Sequence, residues 1–401
     1  MIEGKIHPDF WSVVKVFRNQ LPGRGQGGAA LCIYHHGESV VDVWAGSCDE
    51  NGKRWQSDTV ALSYSTTKGV TSTLLHILVD QGLLDYDDTV AIHWPEFAAE
   101  GKESITVRQL MCHEAGLYDI RSMVDHASRI MDWNYMVEAL AAARPKHDPG
   151  TAHGYHGLTY GWLIGELIQR VSGRSFSEVL QQRIAQPPSL DGLFIGLPPD
   201  QRHRRARLIL AGIQESPEAT AKLRGYLNKI SRALSALGLS VDLNEVSAAL
   251  LPHGIEDLDF NSDALHAASI PAANGMFTAS SLARMYAALA CGGELDGVRL
   301  LSRNTLERPT SPQNRGIGRV IPFPMHWRLG YHRPFTLNGS VPNGFGHFGF
   351  GGSGAWADPQ RGLAVAMTLN SGVGTPFGDM RMLRISTSAA RAADRRERAA
   401  A

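Results

Sequence analysis

The sequence predicts an α+β fold. An antiparallel sheet drawn from both ends of the chain is flanked by the terminal helices, and an all-helical lobe is inserted between its halves. Three observations predict this. First, β-prone runs cluster near both ends, at 29–35, 38–45, 345–348, 353–358 and 363–369. Second, two of these runs meet across His36-Gly37 and two across Pro359-Gln360-Arg361-Gly362, both with hairpin turn chemistry. Third, from about residue 86 to 185 the apolar residues recur at helical spacing. The economical division is 1–85 with 275–395 for the sheet lobe, 86–274 for the helical lobe, and 396–401 as a frayed Ala/Arg-rich tail.

The elements follow in order. Residues 9–20 alternate bulky and charged side chains, as an amphipathic surface helix does. The glycine-rich 23–28 follows no strand and lacks the lysine of a phosphate loop, so it reads as a linker. The 36–37 hairpin and a polar turn at 48–54 lead to a short apolar segment at 59–63. Val70, Leu74, Leu75, Ile77, Leu78 and Leu83 then mark a buried helix over 70–84. Helical patterns cover 107–113, 124–127, 131–143 and 160–171. The basic cluster 201–207 has no interleaved aromatic residues to stack bases and reads as a solvated face. Residues 214–265 read as helical and carry no interpretable motif. A helix at 280–289, a small hairpin around Asp296-Gly297 and a β-type run at 327–331 precede the last strands.

Composition narrows the function classes. Lys+Arg and Asp+Glu are both 39, so nothing in the charge balance calls for nucleic acid. The four cysteines are scattered without Cys-x-x-Cys, as buried thiols in a reducing compartment are. The amino end has no signal-type apolar run, and no stretch is long enough to span a membrane. A cytoplasmic protein acting on a small molecule is the expectation. With no His-Glu-x-x-His among sixteen histidines, no metal site is expected. The sequence leaves oligomeric state open.

The chemistry gathers around Tyr64-Ser65-Thr66-Thr67-Lys68-Gly69. On a helix, residues three apart share a face, so Ser65 and Lys68 can touch. A desolvated lysine can lose its charge and take the proton that keeps a serine hydroxyl unreactive. A second Ser-x-x-Lys, Ser12 to Lys15, lies in the amphipathic first helix and reads as surface. Tyr155 sits in the turn-rich loop Pro149-Gly150-Thr151-Ala152-His153-Gly154-Tyr155-His156-Gly157, as a phenolate-type base or a proton relay. The densest glycine stretch is 344–354. Its missing side chains let an acyl group lie against the backbone, where N–H groups with that of Ser65 can form an oxyanion hole.

Ser65-Thr66-Thr67-Lys68, the Tyr155 loop and His347-Phe348-Gly349 occur in the order of the serine β-lactamase and penicillin-binding-protein superfamily. The chain resembles its class C branch and the family VIII carboxylesterases. The segments 105–117, Asn274-Gly275-Met276-Phe277-Thr278 and Trp356-Ala357-Asp358-Pro359 share the likeness. The resemblance implies a β-lactamase/transpeptidase-like fold and a carboxylesterase with no cofactor. It implies Ser65 as nucleophile, Lys68 and Tyr155 as its proton partners, and the amides of Ser65 and Phe350 as oxyanion hole. His347 and Gly349 match the substrate strand, and Tyr64, Phe348, Phe350 and Trp356 are candidate acyl-pocket residues, with plain core as the alternative. The sequence departs from the lactamase pattern in two places. Gly157 replaces the Asn of Tyr-x-Asn, and His347 replaces the Lys of Lys-Thr-Gly; both favour an esterase over a lactamase, and short acyl chains are what the resemblance implies. The alternatives are β-lactamase, D-amino-acid peptidase or transacylase activity on the same site, or a non-catalytic scaffold.

Overall fold

The computed structural model describes residues 1–23, 26–210, 242–321, 323–337, 339, 341–372 and 379–400. Of the helical region expected at 214–265, residues 214–241 lie outside the described residues. Beyond them comes a helix, Leu243–Leu250, where the Asp242 carboxylate accepts from the Asn244 N–H.

Six strands form one antiparallel sheet. Their order is Glu3–Ile6, Glu38–Gly46, Gly28–His35, Leu363–Leu369, Gly354–Asp358, Phe345–Phe348. The two ends of the chain join along one register, from Leu363 opposite His35 to Leu369 opposite Ala29. The edge strand Glu3–Ile6 gave no sequence signal, because three of its four residues are exposed and none of them is apolar.

Side chains alternate cleanly across this sheet. Leu31, Ile33, Trp356, Val365 and Met367 face the helices Trp11–Arg18 and Arg381–Ala400. Ala30, Cys32, Ala355, Ala357, Ala364 and Ala366 face the other way, toward the helix Ala279–Ala290. A face of alanines lets that helix pack closely on the sheet, where dispersion contacts are strongest.

The helix Thr66–Asp80 is buried from Thr66 to Leu78 and packs between the helix Thr159–Ser172 and the strand Phe345–Phe348. It begins earlier than the apolar pattern suggests because polar Thr66, Thr67 and Lys68 are buried too. Gly69 is needed there: a Cβ would stand 2.0 Å from the Tyr286 hydroxyl oxygen.

Several expectations are corrected. Residues 327–331 form no strand. The chain turns at Gly330 (φ +74°), and the Leu329 and Gly330 N–H groups donate to Pro309 and Met111 carbonyls. The terminal helix continues to Ala400 instead of fraying from 396, because Arg396 pairs with Glu38 at 3.0 Å and Glu397 meets His35 at 3.3 Å. Cys291 is an exposed thiol, while Cys32, Cys48 and Cys112 are buried. Each arginine of the 201–207 cluster faces a carboxylate: Arg202 and Arg205 face Asp263, Arg204 faces Asp58 and Asp191, and Arg207 faces Glu50. Among the described residues, no helix is long and apolar enough to cross a membrane.

Candidate active site

Ser65 stands at the tip of the buried helix, at the N-cap, yet its side chain makes no capping hydrogen bond. The turn before it is strained, with Tyr64 at φ +43°. Ser353 ties this tip to the glycine-rich stretch: its hydroxyl donates to the Ser63 carbonyl at 2.9 Å and lies 3.1 Å from the Thr66 hydroxyl.

Three groups from distant parts of the chain meet here. Lys68 Nζ lies 3.2 Å from Ser65 Oγ, and the Tyr155 hydroxyl donates to Ser65 Oγ at 2.9 Å. Lys68 is fully buried, and its Nζ also donates to the carbonyls of Gly157 at 2.6 Å and Ala272 at 3.0 Å. No carboxylate pairs with it among the described residues. Burial therefore holds its pKa well below the ordinary lysine value. A neutral amine has two N–H groups and one lone pair. In that neutral form the two carbonyls take the hydrogens, which leaves the lone pair for the Ser65 hydroxyl.

Tyr155 is held by rings. It stacks on Trp327 at 5.5 Å and 9°, and meets His113 edge-on at 5.0 Å. Burial pushes its phenol above the usual value, and the hydrogen bond to Ser65 only partly offsets this. The raised pKa favours the protonated phenol, which donates to Ser65 Oγ as the donor form of the expected proton relay.

The remaining expected site residues divide. His347 lies in the site, with its ring 6.1 Å from that of Tyr155. Its Nδ1–H donates to the Phe348 carbonyl at 2.9 Å, which leaves Nε2 a buried acceptor without a partner among the described residues. Burial holds the His347 pKa well below the ordinary histidine value, so its ring is neutral. Gly349 packs on the tip: a Cβ there would stand 2.4 Å from the Ser63 carbonyl oxygen. The N–H groups of Ser65 and Phe350 donate to no carbonyl among the described residues. Tyr64 meets Phe350 edge-on at 5.2 Å and Phe260 at 6.1 Å, forming an apolar wall beside the tip.

Trp356 and Phe348 are corrections. Both alternate to the sheet face opposite His347, where Trp356 packs among residues of the terminal helices and Phe348 lies against Met382 and Phe335. Neither lines a pocket at Ser65. Trp356→Ala is expected to cost about 3–5 kcal/mol of stability in urea unfolding, as core Trp truncations do. The reactivity of Ser65 in the protein that remains folded should not change; a selective loss of that reactivity would put Trp356 back in the site.

Gly157 is positioned by its backbone. Besides accepting from Lys68, it has no room for a side chain: a Cβ would stand 2.4 Å from Leu250 Cδ2 and 2.7 Å from the Ala249 carbonyl oxygen. The helix Leu243–Leu250 thus fills the place of an asparagine side chain. Leu250 and Ala249 join Tyr118, Tyr155, Val320, Ile321, Met325 and Trp327 in one apolar cluster.

The model of the family described as Beta-lactamase matches residues 13–388. The chain belongs to the beta-lactamase family. This family member is 38% identical over 372 residues to Esterase/beta-lactamase LipL of Mycobacterium tuberculosis (strain ATCC 25618 / H37Rv), covering 92% of this chain and 82% of that protein. A penicillin-binding protein homologue from Caulobacter crescentus aligns with TM-score 0.85 at 34% identity, over 98% of this chain and 100% of that one. A family VIII carboxylesterase aligns with TM-score 0.83 at 32% identity, over the same 98% and 100%. This beta-lactamase-family chain is thus a hydrolase by fold and kinship.

Sequence reasoning missed Ala272, Trp327, His113 and Leu250. Ala272 contributes only a carbonyl, which no side chain advertises. An indirect signal existed in Asn274-Gly275. The Asn274 amide donates to the Leu265 and Ala268 carbonyls, and the Gly275 N–H donates to the Thr67 hydroxyl at 2.9 Å, so this turn sets the Ala272 carbonyl over Lys68.

Proposed function

We propose that the protein is a serine carboxylesterase of short-chain esters, acting through an acyl-enzyme on Ser65. The observation that carries this is the shared contact of Ser65 Oγ with a buried, carboxylate-free amine and a phenol. Lys68 takes the Ser65 proton as Oγ attacks the ester carbonyl. The oxyanion rests on the N–H groups of Ser65 and Phe350, donors worth about 3–4 kcal/mol each in acyl transfer. Tyr155 gives its proton to the departing alkoxide and is reprotonated from Lys68. Water enters and hydrolyses the acyl-enzyme by the reverse proton path.

The relative named esterase/beta-lactamase carries both activities in its name. Here two features favour the ester. The side chain that would meet a substrate amide is replaced by Leu250 packed on Gly157, and the neutral His347 supplies no cation for a carboxylate. The test is intact-mass spectrometry with a fluorophosphonate, together with parallel assays on p-nitrophenyl butyrate and nitrocefin. An adduct on Ser65 with butyrate turnover is expected. Nitrocefin turnover alone would replace the esterase reading, and no adduct on folded protein would favour a scaffold.

In this reading Leu250, packed on Gly157 in the same apolar cluster as Tyr155, is assigned as a wall that limits the acyl chain. Leu250→Ala is expected to raise kcat/KM for p-nitrophenyl octanoate relative to butyrate by about tenfold, the scale of a few methylenes in an apolar pocket. An unchanged ratio would remove Leu250 from the acyl wall.

A further inference from the structure

On the sheet face away from Ser65, two imidazoles and a carboxylate converge. His35 ends the strand Gly28–His35, and Glu397 lies in the last turns of the helix Arg381–Ala400. His36 follows in the hairpin turn at φ +49°, with Gly37 at φ +78°. Neighbouring strand residues normally point to opposite sides. The left-handed turn instead swings the second ring toward the first, and the two imidazoles meet edge-on at 4.3 Å. Gly362 leaves the space this ring needs, since a Cβ there would stand 2.4 Å from His36 Nδ1.

Glu397 Oε1 contacts His36 Nε2 and lies 3.3 Å from His35 Nε2. One ligand atom from each of the three residues falls within 4.8 Å of the others. His35 is 2% exposed, yet its Nε2 makes no hydrogen bond, so a buried polar atom is aimed at the carboxylate without a bonded partner. His36 and Glu397 are half open to solvent, which gives an ion a way in. Tetrahedral zinc with bonds of about 2.0–2.1 Å spaces its ligand atoms about 3.3–3.5 Å apart, and the His35–Glu397 separation already meets this.

We infer that His35, His36 and Glu397 form a binding site for a divalent transition ion, with zinc(II) the best match to two imidazole nitrogens and one carboxylate oxygen. Water completes the fourth position. The ion ties the hairpin turn to the last turns of the terminal helix, and its role is to hold that helix on the sheet. Ligation through Nε2 puts the His35 proton on Nδ1, which stands 3.5 Å from Arg396 Nη1. Arg396 therefore turns from the ring to Glu38 and Asp9, which already lie 3.0 and 3.6 Å from it.

The test uses the full chain, stripped with a chelator and titrated with zinc chloride by calorimetry and by thermal unfolding. One zinc per chain should bind, and the melting temperature should rise by several degrees, as binding to the folded state alone requires. Glu397→Gln and His36→Asn should each weaken binding at least about tenfold, the scale on which even supporting residues of a metal site act. Asn keeps the left-handed turn, so the hairpin survives. Cobalt(II) in place of zinc should give a visible absorption in the wild type that both variants lose. Reactivity of Ser65 toward a fluorophosphonate should stay the same in all three proteins. No saturable binding by the wild type, or equal binding by the variants through other histidines, would overturn the site.

Discussion

Ser65→Ala is expected to lower ester hydrolysis by about 10⁴- to 10⁶-fold, the range seen when a serine hydrolase loses its nucleophile. Stability should change little. The Ser65 hydroxyl caps no helix end, and its two partners keep other support: Lys68 holds the Gly157 and Ala272 carbonyls, and Tyr155 is held by Trp327 and His113. Steady-state kinetics on p-nitrophenyl butyrate and urea unfolding of the same preparation separate the two readouts. A folded Ser65→Ala protein that retains hydrolysis would remove the mechanism.

The second large effect is at Lys68. Lys68→Met keeps the length and the burial but removes the base. The rate should fall by about 10²- to 10⁴-fold, the span of general base catalysis. The pH dependence of stability supplies an independent readout. The Lys68 pKa is lower in the folded chain than in the unfolded one. Between the two values the unfolded chain binds more protons, so this group makes stability rise with pH across that window. The window closes at the ordinary lysine value of about 10.4. Wild type should therefore gain stability relative to Lys68→Met as pH rises toward that limit. A pH-independent difference would mean that Lys68 keeps its charge in the fold.

The same electrostatics predict which groups do not control the rate. Burial holds His156 at about 3 and His332 at about 4, and pushes His113 and His347 well below the usual histidine value. These rings carry no charge near neutrality. The acid limb of the rate profile should then follow one ionisation, that of Lys68, with activity lost as the amine gains its proton.

What could be read from the chain alone was local or periodic. The hairpins at 36–37 and 359–362 announced themselves by turn residues, and the buried helix by its apolar spacing. Helical spacing put Ser65 beside Lys68, because residues three apart on a helix share a face wherever that helix lies; Tyr155 joined them through the family resemblance carried by three motifs in one order. The polar edge strand and the wrap at 327–331 carried no such period, and their hydrogen bonds are settled by distant partners.

The sequence by itself determined the alternating sheet, the helix that carries Ser65 and Lys68, and the glycine-rich stretch beside them, because these rest on neighbours a few residues apart. Only the tertiary structure decided which sheet face each aromatic joins. It sent Trp356 and Phe348 away from Ser65 and brought Trp327 and Leu250 to it. It also lowered the proton affinity of Lys68 by burying the amine away from water with no acid beside it. Proton affinity depends on what surrounds a group in space, and position along a chain does not record that.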